Sequence, residues 1–250
     1  MFRRSIRACI LGESALTNPE RRANIPDMLT TTVVIPTRNE EKTIAEIIEQ
    51  CRPYADEVMV VDGHSQDKTR EIAEGLGIRA VLDNGKGKGD GLRVGIREAK
   101  GDILVFIDAD GSHDPHDIPK LIKPIQEDKA DLVVGSRGMG GSDELHGDVQ
   151  KLLRMIGSDI ILIGINKKWK VNLTDSQNGF RAIRKDVARQ LGLKENITTI
   201  EQEMTMKCLR KGFRVDEVPT HEYERKFGES VISLRRVWFR YVWTFIKYLI

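Results

Sequence analysis

The sequence DILVFIDADGSHDP, residues 102–115, joins an apolar run to a pair of aspartates and a turn. Consecutive apolar residues at 103–107 are typical of a strand that is buried on both faces of a sheet. Asp108 and Asp110 follow directly, although two carboxylates at close range repel each other. A bound divalent cation would offset that repulsion, because hard cations prefer carboxylate oxygens. For an isolated Asp-x-Asp, capping of the following turn or helix is the simpler alternative.

The rest of the first half alternates the same kind of strand with helical segments. β-Branched and aliphatic runs that stop at turn residues predict strands over 31–36, 57–63, 79–83, 102–110 and 130–137. Helical spacing of apolar residues predicts helices over 39–55, 65–77 and 115–128, and a glycine-rich loop leading into a helix over 84–101. This alternation indicates an α/β fold, a doubly wound and mostly parallel sheet with helices on both faces.

Polar residues follow the predicted strands at matching positions. Residues 36–39, 62–63 and 108–112 and Arg137 each come directly after a strand. Parallel strands end at the same edge of a sheet, and ligands of doubly wound sheets bind at that edge. We therefore expect these four clusters to converge on one ligand site.

The composition is that of a folded domain with no bulk affinity for nucleic acid. The 250 residues are 40% hydrophobic and 31% charged, and the formal net charge is only +2. Cys9, Cys51 and Cys208 are widely spaced and form no CxxC pair, so we expect reduced thiols in a cytoplasmic protein. Residues 1–30 show little periodicity and only a short apolar run, which predicts an N-terminal extension and no signal peptide.

The second half of the chain, from residue 138, has a different pattern. After a polar loop at 140–148, the residues predict a helix over 149–165, a turn, strand and helix within 174–193, a helix over 200–212 and a strand over 213–224. The apolar second half of the first of these helices packs either against lipid or against the body of the domain.

Residues 235–250 predict an amphipathic C-terminal helix rich in aromatic residues. At helical spacing, one polar stripe would consist of Arg236, Arg240, Thr244 and Lys247. The segment is shorter than the roughly 20 residues that span a bilayer. Two placements stay open: a helix in a membrane interface with its basic residues at the headgroups, or a helix packed on the protein's own core or on a partner subunit.

Two loops do not match familiar ligand motifs. NGKGKGDGLRVG, residues 84–95, fits neither GxGxxG nor GxxxxGK[ST]. DADGSHDPHD, residues 108–117, is not an EF-hand loop, because His113 stands in place of the turn glycine. His113 and His116 have no third metal ligand in the sequence, so we expect them at the surface or in the second layer around the site.

Several segments in order resemble the family 2 glycosyltransferases, which have the GT-A fold. They are VVIPTRNEEKTI, VVDGHSQDKT, GKGKGDGLRVGIREAKGDILVFIDADGSHDP, ADLVVGSR, NGFRAI and ERKFGES. The last two are similar to the branch of dolichyl- and polyprenyl-phosphate sugar synthases, which includes the dolichol-phosphate mannose synthase type. The resemblance implies a GT-A catalytic domain over 31–234, with a nucleotide and metal half over 31–137 and an acceptor half over 138–234.

The resemblance also implies roles for individual residues. Donor binding would involve Pro36, Thr37, Glu40, Asp62, Lys88, Asp108, Ala109, Asp110, Arg137 and Arg225. Mg²⁺ or Mn²⁺ would be held by Asp108 and Asp110, with Ser112 as a third ligand. The implied catalytic residues are Asp110, Arg137 and Arg225, and Arg181 is a further candidate to hold the acceptor phosphate, with a surface salt bridge as its alternative.

The implied reaction is inverting transfer of a hexose, mannose or glucose, from GDP-mannose or UDP-glucose to a polyprenyl or dolichyl phosphate. UDP-N-acetylglucosamine stays open as a donor. The implied location is the cytoplasmic face of a membrane, through the membrane surface itself or a small membrane anchor protein, and a homodimer is possible. Val231 stands where the family has a lysine, which leaves a soluble or glycan acceptor open. A sugar-nucleotide-binding subunit without activity is the third alternative, and the intact Asp108 and Asp110 argue against it.

Overall fold

One seven-stranded sheet forms the centre of the protein. The computed structural model describes residues 29–143, 149–225 and 234–249 of the chain. In space the strands follow the order β3-β2-β1-β4-β6-β5-β7. Their bounds are β1 Thr31–Thr37, β2 Glu57–Asp62, β3 Arg79–Leu82, β4 Ile103–Phe106, β5 Leu132–Ser136, β6 Arg181–Arg184 and β7 Val215–Pro219.

Among the strands described, β6 alone runs against its neighbours. It pairs antiparallel with β4 on one side and with β5 on the other, so that β4 and β5 do not touch each other as strands. β1 pairs parallel with β2 and β4, and β5 pairs parallel with β7. The carboxyl ends of β1, β2, β4 and β5 therefore lie along one edge, and the predicted mostly parallel α/β sheet is confirmed.

Helices cover both faces of the sheet. In chain order their bounds are α1 Ile44–Cys51, α2 Thr69–Gly75, α3 Lys88–Glu98, α4 Ile118–Gln126, α5 Arg137–Gly140, α6 Val149–Trp169, α7 Lys185–Gln190, α8 Thr199–Arg210 and α9 Leu234–Leu249. Single 3₁₀ turns at Arg52–Tyr54 and Pro115–Asp117 follow α1 and precede α4.

The core consists of two layers because strand side chains alternate between the faces. Val33 and Ile35 of β1 pack in the layer under α1, α2 and α4, whereas Val34 packs under α3, α7 and α8. β4 divides in the same way, with Val105 in the first layer and Phe106 in the second. The near-continuous apolar runs of the sequence are thus explained by burial on both sides.

The two long helices form an additional layer outside α8. Ile161 and Ile165 of α6 pack with Met206 of α8 and Tyr248 of α9. Phe245 of α9 covers Gly164, where even a Cβ atom would overlap the ring. The sequence left open whether the apolar part of α6 packs on lipid or protein, and one side of it packs on protein.

The other side of α6 and α9 carries exposed apolar side chains, which we call the outer apolar surface: Ile156, Ile160, Ile163, Phe239, Val242, Trp243 and Ile246. Arg240 and Lys247 are exposed as the polar stripe of α9 requires. Thr244 is only 1% exposed, so its place in that stripe was wrong. No helix in the described ranges is long and apolar enough to cross a bilayer.

Several element bounds differ from those expected. β4 ends at Phe106, so the aspartate pair lies in a turn after the strand, and α6 extends to Trp169. The first helix begins only at Ile44, since the residues before it form a turn. Nearly all of the predicted N-terminal extension lies outside the described residues, and so does Val231.

Candidate active site at the carboxyl edge of the sheet

Direct hydrogen bonds join some of the segments in which the predicted polar clusters lie. Gly63 N, after β2, donates to Thr37 O at the end of β1, at 2.8 Å. Asn39 N donates to Ser65 Oγ at 2.9 Å. From the far side of the sheet, Tyr223 N donates to Ser112 O at 2.8 Å. The segments after β1 and β2 are therefore in contact with each other, and so are the segments after β4 and β7; one shared ligand site stays a prediction.

Asp110 is held in place by its own turn. Ser112 donates its main-chain N–H and its hydroxyl to Asp110 Oδ1, at 3.0 and 2.6 Å. Gly111 between them has a φ of 77°, a left-handed conformation that glycine adopts without strain. The second oxygen, Oδ2, lies 3.2 Å from Arg225 Nη2. Ser112 thus fixes the orientation of Asp110, and its role as a third metal ligand stays a prediction.

Asp108 is paired with a lysine from the start of α3. Lys88 Nζ lies 2.7 Å from Asp108 Oδ1 and 2.8 Å from Oδ2. The same ammonium lies 3.1 Å from Glu201 Oε1 on α8. Burial alone would raise the pKa of Asp108, but the neighbouring ammonium outweighs it and lowers that pKa below its ordinary value. Asp108 is therefore a carboxylate at neutral pH.

The approach of NGFRAI to this pair requires a glycine. A Cβ atom at Gly179 would lie 3.0 Å from both Asp108 Oδ2 and Lys88 Nζ. A side chain at that position would push Asp108 or Lys88 aside by a few tenths of an ångström. The glycine of this motif thus serves the aspartate site.

On the nucleotide side, the structure places four of the predicted residues near the ends of β1 and β2. Asp62 is 2% exposed and accepts hydrogen bonds from the main chain and hydroxyl of Ser65. Thr37 is buried, and its hydroxyl has no hydrogen-bond partner among the described residues. Burial and the charge of Asp110 raise the pKa of Glu40 above its ordinary value. Pro36 is half-buried beside them, and all four stay predicted donor contacts.

Arg137 is bound to protein carboxylates. Its Nε and Nη2 lie 2.6 and 3.1 Å from the two oxygens of Asp175, and Nη1 lies 3.4 Å from Glu222. Burial alone would lower the pKa of Arg137, and these carboxylates raise it instead. Arg137 is thus bound to carboxylates outside the aspartate pair, whereas Lys88 and Arg225 contact that pair directly. Phosphate binding by Arg137 stays a prediction.

The prediction for Arg181 was wrong in both of its alternatives. Its side chain is fully buried. The guanidinium donates to Asn178 O and Glu201 O, both at 2.8 Å, and to Thr205 Oγ1 at 3.2 Å. These acceptors are main-chain and hydroxyl oxygens inside the protein, so Arg181 ties the NGFRAI segment to α8 and does not face a ligand or solvent.

His113 is buried behind the aspartate turn, and His116 lies at the surface as expected. His113 is 4% exposed and stacks on Phe180 with ring centroids 5.2 Å apart. Burial lowers its pKa, so the ring is neutral, and its Nδ1 has no hydrogen-bond partner among the described residues. His116 is exposed and pairs with Asp114. His113 therefore belongs to the second layer, with a packing role that its sequence position did not reveal.

The donor set suits a hard cation that brings its own ligands. In the ranges described, no group of three or more His, Cys, Asp or Glu side chains could hold a metal alone. Mg²⁺ and Mn²⁺ are often bound by one or two carboxylates, with substrate phosphates and water completing the shell. Asp108 and Asp110, with the buried Ala109 between them, offer that set. The residues present fit such an ion.

Glu201 is the site residue that motif reasoning missed. It is 1% exposed on α8 and contacts Lys88, and its Oε2 has no hydrogen-bond partner among the described residues. The segment IEQEMTMK has three charged residues among apolar ones, which signals a helix without singling out one carboxylate.

Comparison with known proteins identifies the family. A family model described as glycosyl transferase family 2 matches residues 32–192, well over half of the chain. The protein belongs to glycosyltransferase family 2. It is 33% identical over 217 residues to the undecaprenyl-phosphate mannosyltransferase of Micrococcus luteus, covering 80% of this chain and 86% of that protein. The resemblance to the polyprenyl-phosphate branch is thereby confirmed, and the protein is an enzyme of the hexosyltransferase class.

A second relative is longer. The protein described here is 32% identical over 231 residues to the dolichol-phosphate mannosyltransferase of Pyrococcus furiosus. The match covers 86% of this chain but only 63% of that relative. Among solved structures, glucosyl-3-phosphoglycerate synthase from Mycobacterium tuberculosis, in complex with Mn²⁺, UDP-glucose and phosphoglyceric acid, superposes with a TM-score of 0.71. It is 22% identical and covers 88% of this chain and 80% of its own. That likeness confirms the GT-A fold.

Proposed function

We propose that this glycosyltransferase transfers a hexose from a nucleotide sugar to a polyprenyl phosphate, with Mg²⁺ or Mn²⁺ bound by Asp108 and Asp110. The observation that carries the proposal is the contact of Arg225 with Asp110. Arg225 belongs to ERKFGES, a segment similar to the polyprenyl-phosphate branch, and Asp110 belongs to the predicted metal motif. One ion pair thus joins the expected acceptor side to the donor side.

The residues of the site divide the electrostatic work of the reaction. When bound, the divalent cation would neutralise the diphosphate leaving group. Lys88 contacts Asp108, one of the two proposed metal ligands, and would supply a second positive charge to the diphosphate as its negative charge develops. Arg225 presents a planar fork that suits a phosphate better than an ammonium does. Lys88 and Arg225 contact Asp108 and Asp110 themselves, whereas Arg137 contacts Asp175 and Glu222, so we assign phosphate contact to Lys88 and Arg225 first.

The acceptor needs positioning more than a strong base. A phosphomonoester with a second pKa near 6 is largely dianionic at neutral pH and is itself the nucleophile. Arg225 would hold it in line with the sugar–diphosphate bond, and direct displacement would invert the anomeric carbon. The two relatives described above are named as mannosyltransferases, so GDP-mannose is the first donor to test and UDP-glucose the second.

A lipid acceptor gives the outer apolar surface a role. A lipid-phosphate acceptor lies at a membrane, and two packed helices with exposed isoleucines, a phenylalanine and a tryptophan suit insertion into its interface. Arg240 on α9 is exposed and suits anionic headgroups, whereas Lys247 is paired with Glu195. We propose attachment to the cytoplasmic face through this surface, directly or through a small membrane protein.

The test is transfer of radiolabel from a panel of nucleotide sugars into organic-extractable lipid, with phosphorylated polyprenol and Mn²⁺ or Mg²⁺. We expect label in the lipid phase for the wild type, none for Asp110→Ala, and wild-type transfer for Asp186→Ala, a control at an exposed aspartate on α7. Label that appears only in a water-soluble product would replace the lipid acceptor by a soluble one. Equal transfer with EDTA would overturn the metal requirement.

A further inference from the structure

Glu201, Lys88 and Asp108 form a chain of buried or half-buried charges that no sequence motif contains as a unit. Lys88 Nζ lies 2.7 Å from Asp108 Oδ1 and 3.1 Å from Glu201 Oε1. Lys88 and Asp108 are each 25% exposed at the side chain, whereas Glu201 is 2% exposed. One ammonium therefore serves two carboxylates, one open to ligand and one enclosed.

The backbone around these three charged side chains is held in place by hydrogen bonds. Lys88 is the first residue of α3, and the next residue, Gly89, donates its N–H to Asn196 O at 2.9 Å. Asn196 immediately precedes the turn into α8, which carries Glu201. On the opposite side, Arg181 donates to the main-chain oxygen of Glu201. Lys88 and Glu201 thus face each other from two anchored helix starts.

We propose that Glu201 is a positioning residue that shares Lys88 with Asp108 and thereby sets the affinity of the Asp108–Asp110 pair for its divalent cation. The inference rests on the proposed function only in placing that cation at Asp108. It assigns a role to a carboxylate that touches neither the cation nor the donor.

The physical reason is competition for Asp108. An ammonium bound to a carboxylate is a counter-ion that an incoming metal must displace or share. A partly buried ammonium that loses its only partner is costly, so a Lys88 with no second partner would hold Asp108 tightly. Glu201 gives Lys88 that second partner, and the lysine can release Asp108 without becoming unpaired.

The alternative is that Glu201 only balances charge for folding. Both roles predict lower stability when the carboxylate is removed, so stability alone does not separate them. The two roles differ in the effect that removal of Lys88 has on metal affinity. Only competition between Lys88 and the metal for Asp108 predicts that removal of the lysine raises that affinity.

The experiment is an EPR titration of free Mn²⁺ against the full chain, alone and with GDP or UDP. We expect Glu201→Gln to weaken Mn²⁺ binding by about 10- to 100-fold, the range found for residues behind metal ligands. Lys88→Met should bind Mn²⁺ alone more tightly than the wild type, although it loses a contact to the diphosphate. Glu201→Asp should recover part of the affinity, because it restores the charge.

Glu203→Gln is the matched control, since Glu203 is equally buried on α8 and pairs with Lys207 away from the aspartates. It should lower the melting temperature and leave the Mn²⁺ affinity unchanged. Wild-type affinity in a folded Glu201→Gln variant, or weaker binding in Lys88→Met, would overturn the inference and leave the proposed function intact. Absence of Mn²⁺ binding by the wild type with either nucleotide would overturn both.

Discussion

Arg225 Nη2 lies 3.2 Å from Asp110 Oδ2, although one residue follows β7 and the other follows β4. Asp110 Oδ1 is already held by Ser112, so Arg225 approaches the oxygen that is left. In the proposed reaction, a diphosphate at the aspartate pair and the acceptor phosphate would both be within reach of this arginine. This geometry makes it the first target for substitution.

Arg225→Ala should lower the rate of transfer at saturating donor by about 100-fold, the usual effect of losing one group that stabilises developing charge. Arg225→Lys should recover only part of the rate, because lysine keeps the charge and loses the fork. Initial rates over a range of lipid phosphate concentrations measure the effect. Arg70→Ala, at an exposed arginine on α2, is the control and should match the wild type.

Gly179→Ala should weaken metal-dependent nucleotide binding and change stability little. The added Cβ would lie 3.0 Å from Asp108 Oδ2 and Lys88 Nζ, so the charged pair must shift. Isothermal titration with GDP or UDP and Mn²⁺ would detect the loss. Gly157→Ala is the control, since nothing lies within 4 Å of its added Cβ and alanine favours the helix. Unchanged binding in Gly179→Ala would show that the pair tolerates displacement.

Arg181→Met should lower the free energy of unfolding by about 2–4 kcal/mol, because several buried oxygens lose their donor. Arg181→Lys should restore little, since one ammonium cannot replace the fork that reaches Asn178, Glu201 and Thr205. Urea denaturation followed by circular dichroism measures the change. A stable Arg181→Met variant with a raised KM for lipid phosphate would return this residue to the acceptor site.

Trp243→Ser should reduce binding to vesicles that contain phosphatidylglycerol by about tenfold, the expected loss for one buried aromatic side chain. Trp243 is 58% exposed on the outer apolar surface, so its removal costs the fold little. Vesicle co-sedimentation provides the measurement, and unchanged nucleotide affinity is the internal control. If the wild type does not sediment with any vesicle, attachment through a membrane partner becomes the alternative.

The pair between Asp131 and Arg214 should make stability fall in acid. Asp131 is 2% exposed and accepts two hydrogen bonds from the Arg214 side chain, at 3.2 and 3.0 Å. Burial alone would raise the pKa of Asp131, but Arg214 lowers it below its ordinary value. A depressed carboxylate pKa stabilises the fold above the unfolded value, about 3.9, and this contribution is lost as pH falls through the folded value.

Asp131→Asn should therefore be less stable than the wild type at pH 7, and the difference should shrink as the pH falls below about 4. Urea denaturation of both proteins across this range checks the trend. A difference that stays constant with pH would mean that the amide loses packing or hydrogen bonds and that the charge contributes nothing.

The strands and the aspartate pair could be predicted from sequence because their signals are local. An apolar run that stops at Asp108 marks a strand end without knowledge of any partner. Alternation of such strands with helices then gives a parallel sheet, and a parallel sheet places Asp62 and Asp108 at one edge. Each step depends on short stretches of chain.

The partners of the arginines could not be predicted in this way. Arg137, Arg181 and Arg225 each belong to a segment that resembles the same family, yet one is bound to Asp175, one is buried and one meets Asp110. The difference depends on which carboxylates and carbonyls the tertiary fold brings near, and those lie far away in sequence. Glu201 was missed for the same reason.

The position of β6 has a consequence for synthesis on the ribosome. β6 separates β4 from β5, although it is made after both. When residues 31–137 have emerged, the edge of β4 is still unpaired, and an unpaired apolar edge favours aggregation. Pairing waits for residues 181–184, a delay of a few seconds at about 5–20 residues per second. The recombinant yield of this enzyme should therefore depend more on chaperone supply and growth temperature than on the stability of the finished sheet.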